Sequence, residues 1–144
     1  MVLTMSLDNS MRLWDCDSGE LIKIFKSAET EDINSADFSA DGKSILTASG
    51  LNYAAHIWSI SKGSVIQTFE GHTSPINSAT FSSDGTKILL AASSDGAYLM
   101  DFKFGNPVSH IKEKNFLKSA IFSPDDKKIL TTSWDKEARL WDSS

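Results

Sequence analysis

Cysteine is nearly absent: Cys16 is the single one in 144 residues. One thiol excludes an internal disulfide and a cysteine-built metal cluster. Cys16 follows Trp14-Asp15 at a turn and reads as an ordinary reduced thiol rather than a nucleophile. Histidine is scarce as well, and His56, His72 and His110 are too scattered for zinc-ligand spacing. No apolar run is long enough to cross a bilayer as a helix. The start, Met1-Val-Leu-Thr-Met-Ser-Leu-Asp, lacks the basic and apolar regions of a signal peptide. Positive charge is not in excess either. The formal net charge is −5, whereas phosphate binding needs a basic face. The nearest basic cluster, Lys112, Lys114, Lys118, Lys127 and Lys128, is interrupted by Glu113, Asp125 and Asp126 and reads as solvated surface. The resulting expectations are no nucleic acid, no membrane, no cofactor, no metal, and an intracellular, cytoplasmic setting.

What is present is a repeat. Hydrophobic residues make up 40% and charged residues 23%, a globular balance in a chain the size of one ordinary domain. Phe38-Ser-Ala-Asp-Gly-Lys-Ser-Ile-Leu matches Phe81-Ser-Ser-Asp-Gly-Thr-Lys-Ile-Leu, and Phe122-Ser-Pro-Asp-Asp-Lys-Lys-Ile-Leu matches both. A second anchor runs through Trp14, Trp58, Met100 and Trp141 in steps of 44, 42 and 41 residues. A fixed period in this range means repeated supersecondary units.

Within a unit the pattern is short strands separated by turns, with no sustained helical periodicity. Ile76 to Phe81 is a first strand with small residues, Ser78 and Ala79, as inward candidates. Asp84-Gly85 marks a tight turn, repeated at Asp41-Gly42 and in weaker form at Asp125-Asp126. Ile88 to Ser93 is a continuous apolar run, as in a strand buried on both faces. Ala97 to Phe102 and Val108 to Ile111 complete four strands. The chain begins inside a unit, with Val2 to Ser6 as its second strand, and stops after a third strand. That predicts fourteen strands: a partial unit at 1–28 (strands two to four), full units at 29–70 and 71–112, and a partial unit at 113–144 (strands one to three).

Gly71-His72, the Phe-Ser-x-Asp-Gly turn, and Trp-Asp at Trp14-Asp15 and Trp141-Asp142 resemble the WD40 repeat family. Leu13, Ile57 and Leu140 before the tryptophans fit the same pattern, while kelch and other propeller repeats lack this Trp-Asp phrase. The resemblance covers nearly the whole chain. It implies an all-β fold of four-stranded antiparallel blades in an incomplete ring of about three and a half blades. It also implies a buried hydrogen-bonded set of histidine, second-strand Ser or Thr, turn aspartate and tryptophan. Mapped here, the candidates are Ser6, Asp8 and Trp14; Trp58; His72, Ser93 and Asp95; and Ser133, Asp135 and Trp141. No unit is complete. Glu29 and Glu113 stand where histidine is expected, Met100 replaces a tryptophan, and Asp95 is displaced by one residue. Weaker polar pinning is therefore expected, at ~1 kcal/mol per missing buried hydrogen bond.

A ring needs about four blades to close, and pairing two copies does not help: the two partial units meet as six strands, neither one blade nor two. The expectation is a segment of a longer propeller, with oligomerisation as the alternative. Ser93, His72 and Asp95 superficially resemble a hydrolase triad, but no nucleophile-elbow phrase accompanies them. No calcium loop or glycine-rich phosphate cradle is present. The resemblance implies a non-catalytic scaffold for protein or peptide partners. Alternatives are a self-assembling structural propeller and, behind it, a propeller-based hydrolase. The partner face would carry Leu7, Leu51, Asn52, Tyr53 and Trp134 from inner turns, and Glu29, Glu31, Asp32, Lys114, Asn115 and Phe116 from inter-blade loops. Trp134 is the first choice as an aromatic anchor. The acidic Glu29, Glu31 and Asp32 would steer a basic partner.

Overall fold

A computed structural model of the chain describes residues 1–6, 8–26, 32–113 and 115–143. Among these residues there are fourteen strands and no helix. They are β1 (Val2–Ser6), β2 (Ser10–Trp14), β3 (Leu21–Lys26), β4 (Ile33–Phe38), β5 (Ser44–Ser49), β6 (Ala55–Ser59) and β7 (Ser64–Phe69). The remainder are β8 (Ile76–Phe81), β9 (Lys87–Ala92), β10 (Gly96–Asp101), β11 (Pro107–Ile111), β12 (Leu117–Phe122), β13 (Lys128–Ser133) and β14 (Ala138–Asp142). They form four antiparallel sheets: β1-β2-β3, β4-β5-β6-β7, β8-β9-β10-β11 and β12-β13-β14, none of them closed. The first sheet lacks the inner strand of the full sheets, and the last lacks the outer one.

Residue type explains the gradient across each sheet. β5 and β9 are almost wholly buried and read Ser-Ile-Leu-Thr-Ala-Ser and Lys-Ile-Leu-Leu-Ala-Ala, without alternation, because both faces are covered. Outer strands β3 and β7 expose most of their side chains and bury one aromatic each, Phe25 and Phe69. The tryptophan anchors sit in one register: Trp14 pairs with Val2, Trp58 with Ile45, Met100 with Ile88 and Trp141 with Ile129.

One turn recurs between first and second strands. Ser39 Oγ donates to Asp41 Oδ1 at 2.7 Å, and that oxygen accepts the Lys43 amide at 3.0 Å. Ser82 with Asp84, and Ser123 with Asp125, repeat it at 2.7 and 2.6 Å. Asp126 takes the left-handed φ of 57° that Gly42 and Gly85 adopt at 66° and 67°. Its carboxylate then accepts the Ser83 amide and hydroxyl of the third sheet, at 2.8 and 2.6 Å. An aspartate there is thus a tie between sheets rather than a poorer glycine.

The cores lie between sheets. Met11, Leu13 and Phe25 of the first pack on Ile45 and Trp58 of the second. Leu46, Ala48, Ile57 and Phe69 of the second pack on Ile76, Ala79, Phe81 and Ile88 of the third. Leu89, Ala91 and Ala97 of the third meet Leu117, Ala120 and Ile129 of the last. Inner-strand side chains add a repeated hydrogen-bond code. Asn34 donates to the Ile76 carbonyl at 3.0 Å, and Ser35 Oγ accepts the Ala79 amide at 2.9 Å. Asn77 and Ser78 do the same to Leu117 and Ala120, at 2.6 and 3.1 Å. On the last sheet the equivalent covering is missing. Leu140 is 65% exposed, whereas Leu13, Ile57 and Leu99 at the same place are at most 1% exposed.

Candidate functional site

Polar groups inside a sheet stack must find partners, because a buried unpaired donor costs ~1–3 kcal/mol. Each of the three strand tryptophans, Trp14, Trp58 and Trp141, satisfies its indole N–H on the neighbouring second strand. Trp14 Nε1 donates to Thr4 Oγ1 at 2.9 Å, Trp58 to Thr47 at 3.0 Å and Trp141 to Thr131 at 2.9 Å. The second-strand hydroxyl is thus a threonine, not Ser6 or Ser133. Those serines serve the adjacent turns: Ser6 Oγ accepts the Asp8 amide at 3.4 Å, and Ser133 Oγ donates to the Phe116 carbonyl at 3.1 Å. The turn aspartates hold the start of the third strand. Asp8 accepts the Ser10 hydroxyl and amide at 2.6 and 3.1 Å and the Arg12 guanidinium at 2.8 Å. The Ser10 hydroxyl, followed by Arg12, draws the Asp8 carboxyl well below the usual carboxylate range. Asp135 repeats the arrangement with Arg139 at 2.6 Å, which brings its carboxyl down to about 2.

In the last sheet the network runs on without histidine. The Thr131 hydroxyl donates to Glu113 Oε1 at 2.9 Å, and Glu113 Oε2 lies 3.5 Å from Arg139 Nη1. The Glu113 side chain is only 5% exposed. Hydrogen bonds join tryptophan to threonine to glutamate, and arginine to aspartate; the 3.5 Å ion pair connects the two groups, and Arg139 Nη1 itself is buried without a hydrogen-bond partner. The expectation of weak pinning at this unit is corrected: the carboxylate accepts where an imidazole nitrogen would have, and Arg139 supplies the charge that makes its burial tolerable.

The third sheet is the opposite case. Leu90, ten residues before Met100 and paired with Tyr98, stands at the threonine position, so indole and hydroxyl are lost together. His72 Nε2 is left buried with no hydrogen-bond partner. The ring packs edge-on to Tyr98 at 4.8 Å, and Tyr98 stacks on His110 at 4.1 Å. Burial lowers the pKa of His72, with Asp95 opposing and His110 reinforcing that shift. Asp95 accepts the amide and hydroxyl of Thr73 at 2.8 and 2.6 Å instead of serving His72. Burial pushes Asp95 up, but these bonds prevail and its carboxyl titrates below the usual value. Ser93 contributes backbone groups, its amide to Pro75 and its carbonyl from Leu117, both at 2.8 Å. Ser93, His72 and Asp95 thus form no proton relay of the kind nucleophilic catalysis needs.

The described partner candidates lie in the β5–β6 and β13–β14 turns and in the loops before β4 and β12. Leu51 and Tyr53 are exposed in the β5–β6 turn, and the Gly50 amide donates to the exposed Asp32 carbonyl at 2.9 Å, which gathers the three at one place. Trp134, 66% exposed, donates its amide to the Phe116 carbonyl at 3.0 Å, so the two exposed aromatics are neighbours. Lys118 Nζ stands 4.3 Å from the Trp134 ring centroid. Glu29, Glu31, Leu7 and Lys114 lie outside the described residues.

Sequence reasoning missed Thr4, Thr47, Thr131, Arg12 and Arg139. A signal existed: a threonine ten or eleven residues before Trp14, Trp58 and Trp141, replaced by leucine where tryptophan becomes methionine.

Comparison with known proteins agrees with this geometry. The family model described as WD domain, G-beta repeat, matches residues 19–60, 63–97 and 105–142. Each match opens at or just before an outer strand, so the sequence repeat is offset from the sheet by one strand. The chain is 25% identical to Autophagy-related protein 16 of Arabidopsis thaliana, covering 98% of this chain and 28% of that protein. It is 23% identical to Nuclear distribution protein nudF of Aspergillus niger, covering 100% of this chain and 37% of that one. The chain thus spans about a third of the length of these relatives.

Proposed function

The chain belongs to the WD40 repeat family, and from that premise we propose that it is a non-catalytic scaffold for protein or peptide partners, working inside a longer propeller or assembly in the cytoplasm. The observation that carries the binding role is the Phe116–Trp134 pair. Two large aromatics, both open to solvent, are brought near each other by a backbone hydrogen bond between the loop before β12 and the β13–β14 turn, which Asp135 and Arg139 anchor. Preorganised aromatics of this kind lose little entropy on binding and are the usual anchors of interfaces. The exposed Leu51, Tyr53 and Asp32 occupy the corresponding end of the second sheet. Both similar proteins carry names of cellular processes rather than of reactions, in keeping with a scaffold.

Affinity capture with wild-type protein, Trp134→Ala and a control at an exposed aromatic on the opposite turn, Phe104→Ala, tests the assignment. Partners retained by wild type and Phe104→Ala but lost from Trp134→Ala are the expected result. Equal loss from both variants would remove the Trp134 face from consideration.

A further inference from the structure

We propose that the cavity where the β4–β5 and β8–β9 turns meet, between the second and third sheets, is a docking site for an acidic side chain of a protein partner. Both of these sheets are complete, and the cavity lies at the opposite end of them from the Phe116–Trp134 face.

The molecule holds a filled version of this site one sheet further on. There Asp126, from the β12–β13 turn, reaches across to the β8–β9 turn. Its carboxylate accepts the Ser83 amide at 2.8 Å, the Ser83 hydroxyl at 2.6 Å and the Asp84 amide at 3.3 Å. In the gap before it, Ala40 and Asp41 stand at the places of Ser83 and Asp84, and Gly85 stands at that of Asp126. The geometry agrees with this register. A Cβ on Gly85 would lie 3.7 Å from the Ala40 Cβ, so Gly85 faces Ala40 as Asp126 faces Ser83. Having no side chain, Gly85 leaves a cavity of about 210 Å³ lined by Ser39, Ala40, Asp41, Ser44, Asp84 and Phe102. The Ala40 amide has no acceptor among the described residues, and the Asp41 amide meets only its own carboxylate. Two adjacent amides thus border a space that holds a carboxylate in the next gap, and successive amides in a turn are anion-binding groups.

Asp41 and Asp84 also line the cavity, but their charge is already engaged. The Ser39 hydroxyl and Lys43 amide, with the Lys43 charge, hold Asp41 below the usual carboxylate range. The Ser82 hydroxyl and the Thr86 amide and hydroxyl, with the Lys87 charge, do the same for Asp84. In the filled gap Asp126 settles beside Asp84 and Asp125 in matching surroundings. That gap also defines the occupant: an aspartate on a tight turn, as Asp126 is in Ser123-Pro-Asp-Asp-Lys-Lys128.

A terminally blocked peptide with the 123–128 sequence, titrated into the ¹⁵N-labelled chain, tests this. Saturable downfield shifts of the Ala40 and Asp41 amides are expected, while Ser83 and Asp84, already occupied, stay in place. Asparagine at the peptide's second aspartate should weaken binding about ten-fold, the value of one charge-assisted hydrogen bond. Ala40→Pro, which copies Pro124 and removes one donor, should cost a similar factor. Gly85→Asp should abolish the response by supplying the carboxylate internally, and Asp126→Gly should open a second responsive site at Ser83 and Asp84. Sodium acetate should bind more weakly than the peptide. Silent Ala40 and Asp41 amides, equal affinity for the asparagine peptide, or a response that survives Gly85→Asp and Ala40→Pro would each overturn the proposal. Acetate binding as tightly as the peptide would assign the cavity to free anions and overturn the partner.

Discussion

The third and last sheets depart from the same repeat pattern in opposite ways. The last exchanges histidine for Glu113, and Arg139 and Asp135 extend the network around it. The third keeps His72 but replaces threonine and tryptophan by Leu90 and Met100, leaving His72 Nε2 unpaired. The sheet that retains the signature histidine is thus the one whose network is broken. A buried polar group is costly wherever it loses its partner, and in the last sheet the ion pair with Glu113 offsets that cost at Arg139 Nη1 while His72 Nε2 has no such charge beside it. When two members turn apolar together, the sheet loses the set as a unit, and the lone survivor becomes its weak point.

The largest effect that would sharpen this comparison is Glu113→Ala. It leaves the Thr131 hydroxyl without its acceptor and Arg139 short of one counter-ion, so a loss of about 2–3 kcal/mol is expected, reduced from the fully buried case because Arg139 is partly solvated. Chemical denaturation measures it, and a loss below about 0.5 kcal/mol would show the path to be ornamental. Next is the converse experiment on the third sheet. Leu90→Thr and Met100→Trp should each destabilise alone, while the double variant should recover about 1–2 kcal/mol relative to their sum, because hydroxyl, indole and His72 then satisfy one another. Strict additivity in that cycle would break the comparison.

The smallest effect is that of pH. His72 is held neutral by burial, so its folded pKa lies below the ordinary 6.5. The unfolded chain then binds the proton more readily. The stability due to neutral His72 is fully present above pH 6.5 and is lost as pH falls through the folded value. Urea midpoints between about pH 8 and 5 should fall less steeply for His72→Gln than for wild type. Parallel curves would mean that the imidazole finds a partner on protonation.

Much of this was legible in the residues. The Trp14, Trp58, Met100 and Trp141 series gave the register of all four sheets, and Asp-Gly pairs marked the turns, because both signals are local: strand period and left-handed backbone. What local signals could not supply was pairing across the sheet. Threonine ten residues before a tryptophan looks like any strand threonine until the hairpin brings the two together. Glu113 looked like a lost histidine because a substitution appears in sequence as an absence, while its compensation, Arg139, lies 26 positions away.

The sequence by itself determined the repeat and the strand order, since these follow from periodicity and turn chemistry. Only the tertiary structure decided which polar sets are complete. Hydrogen bonding depends on distances set when one sheet stacks on the next. The same stacking set Glu113 between Thr131 and Arg139 and left His72 Nε2 without a partner.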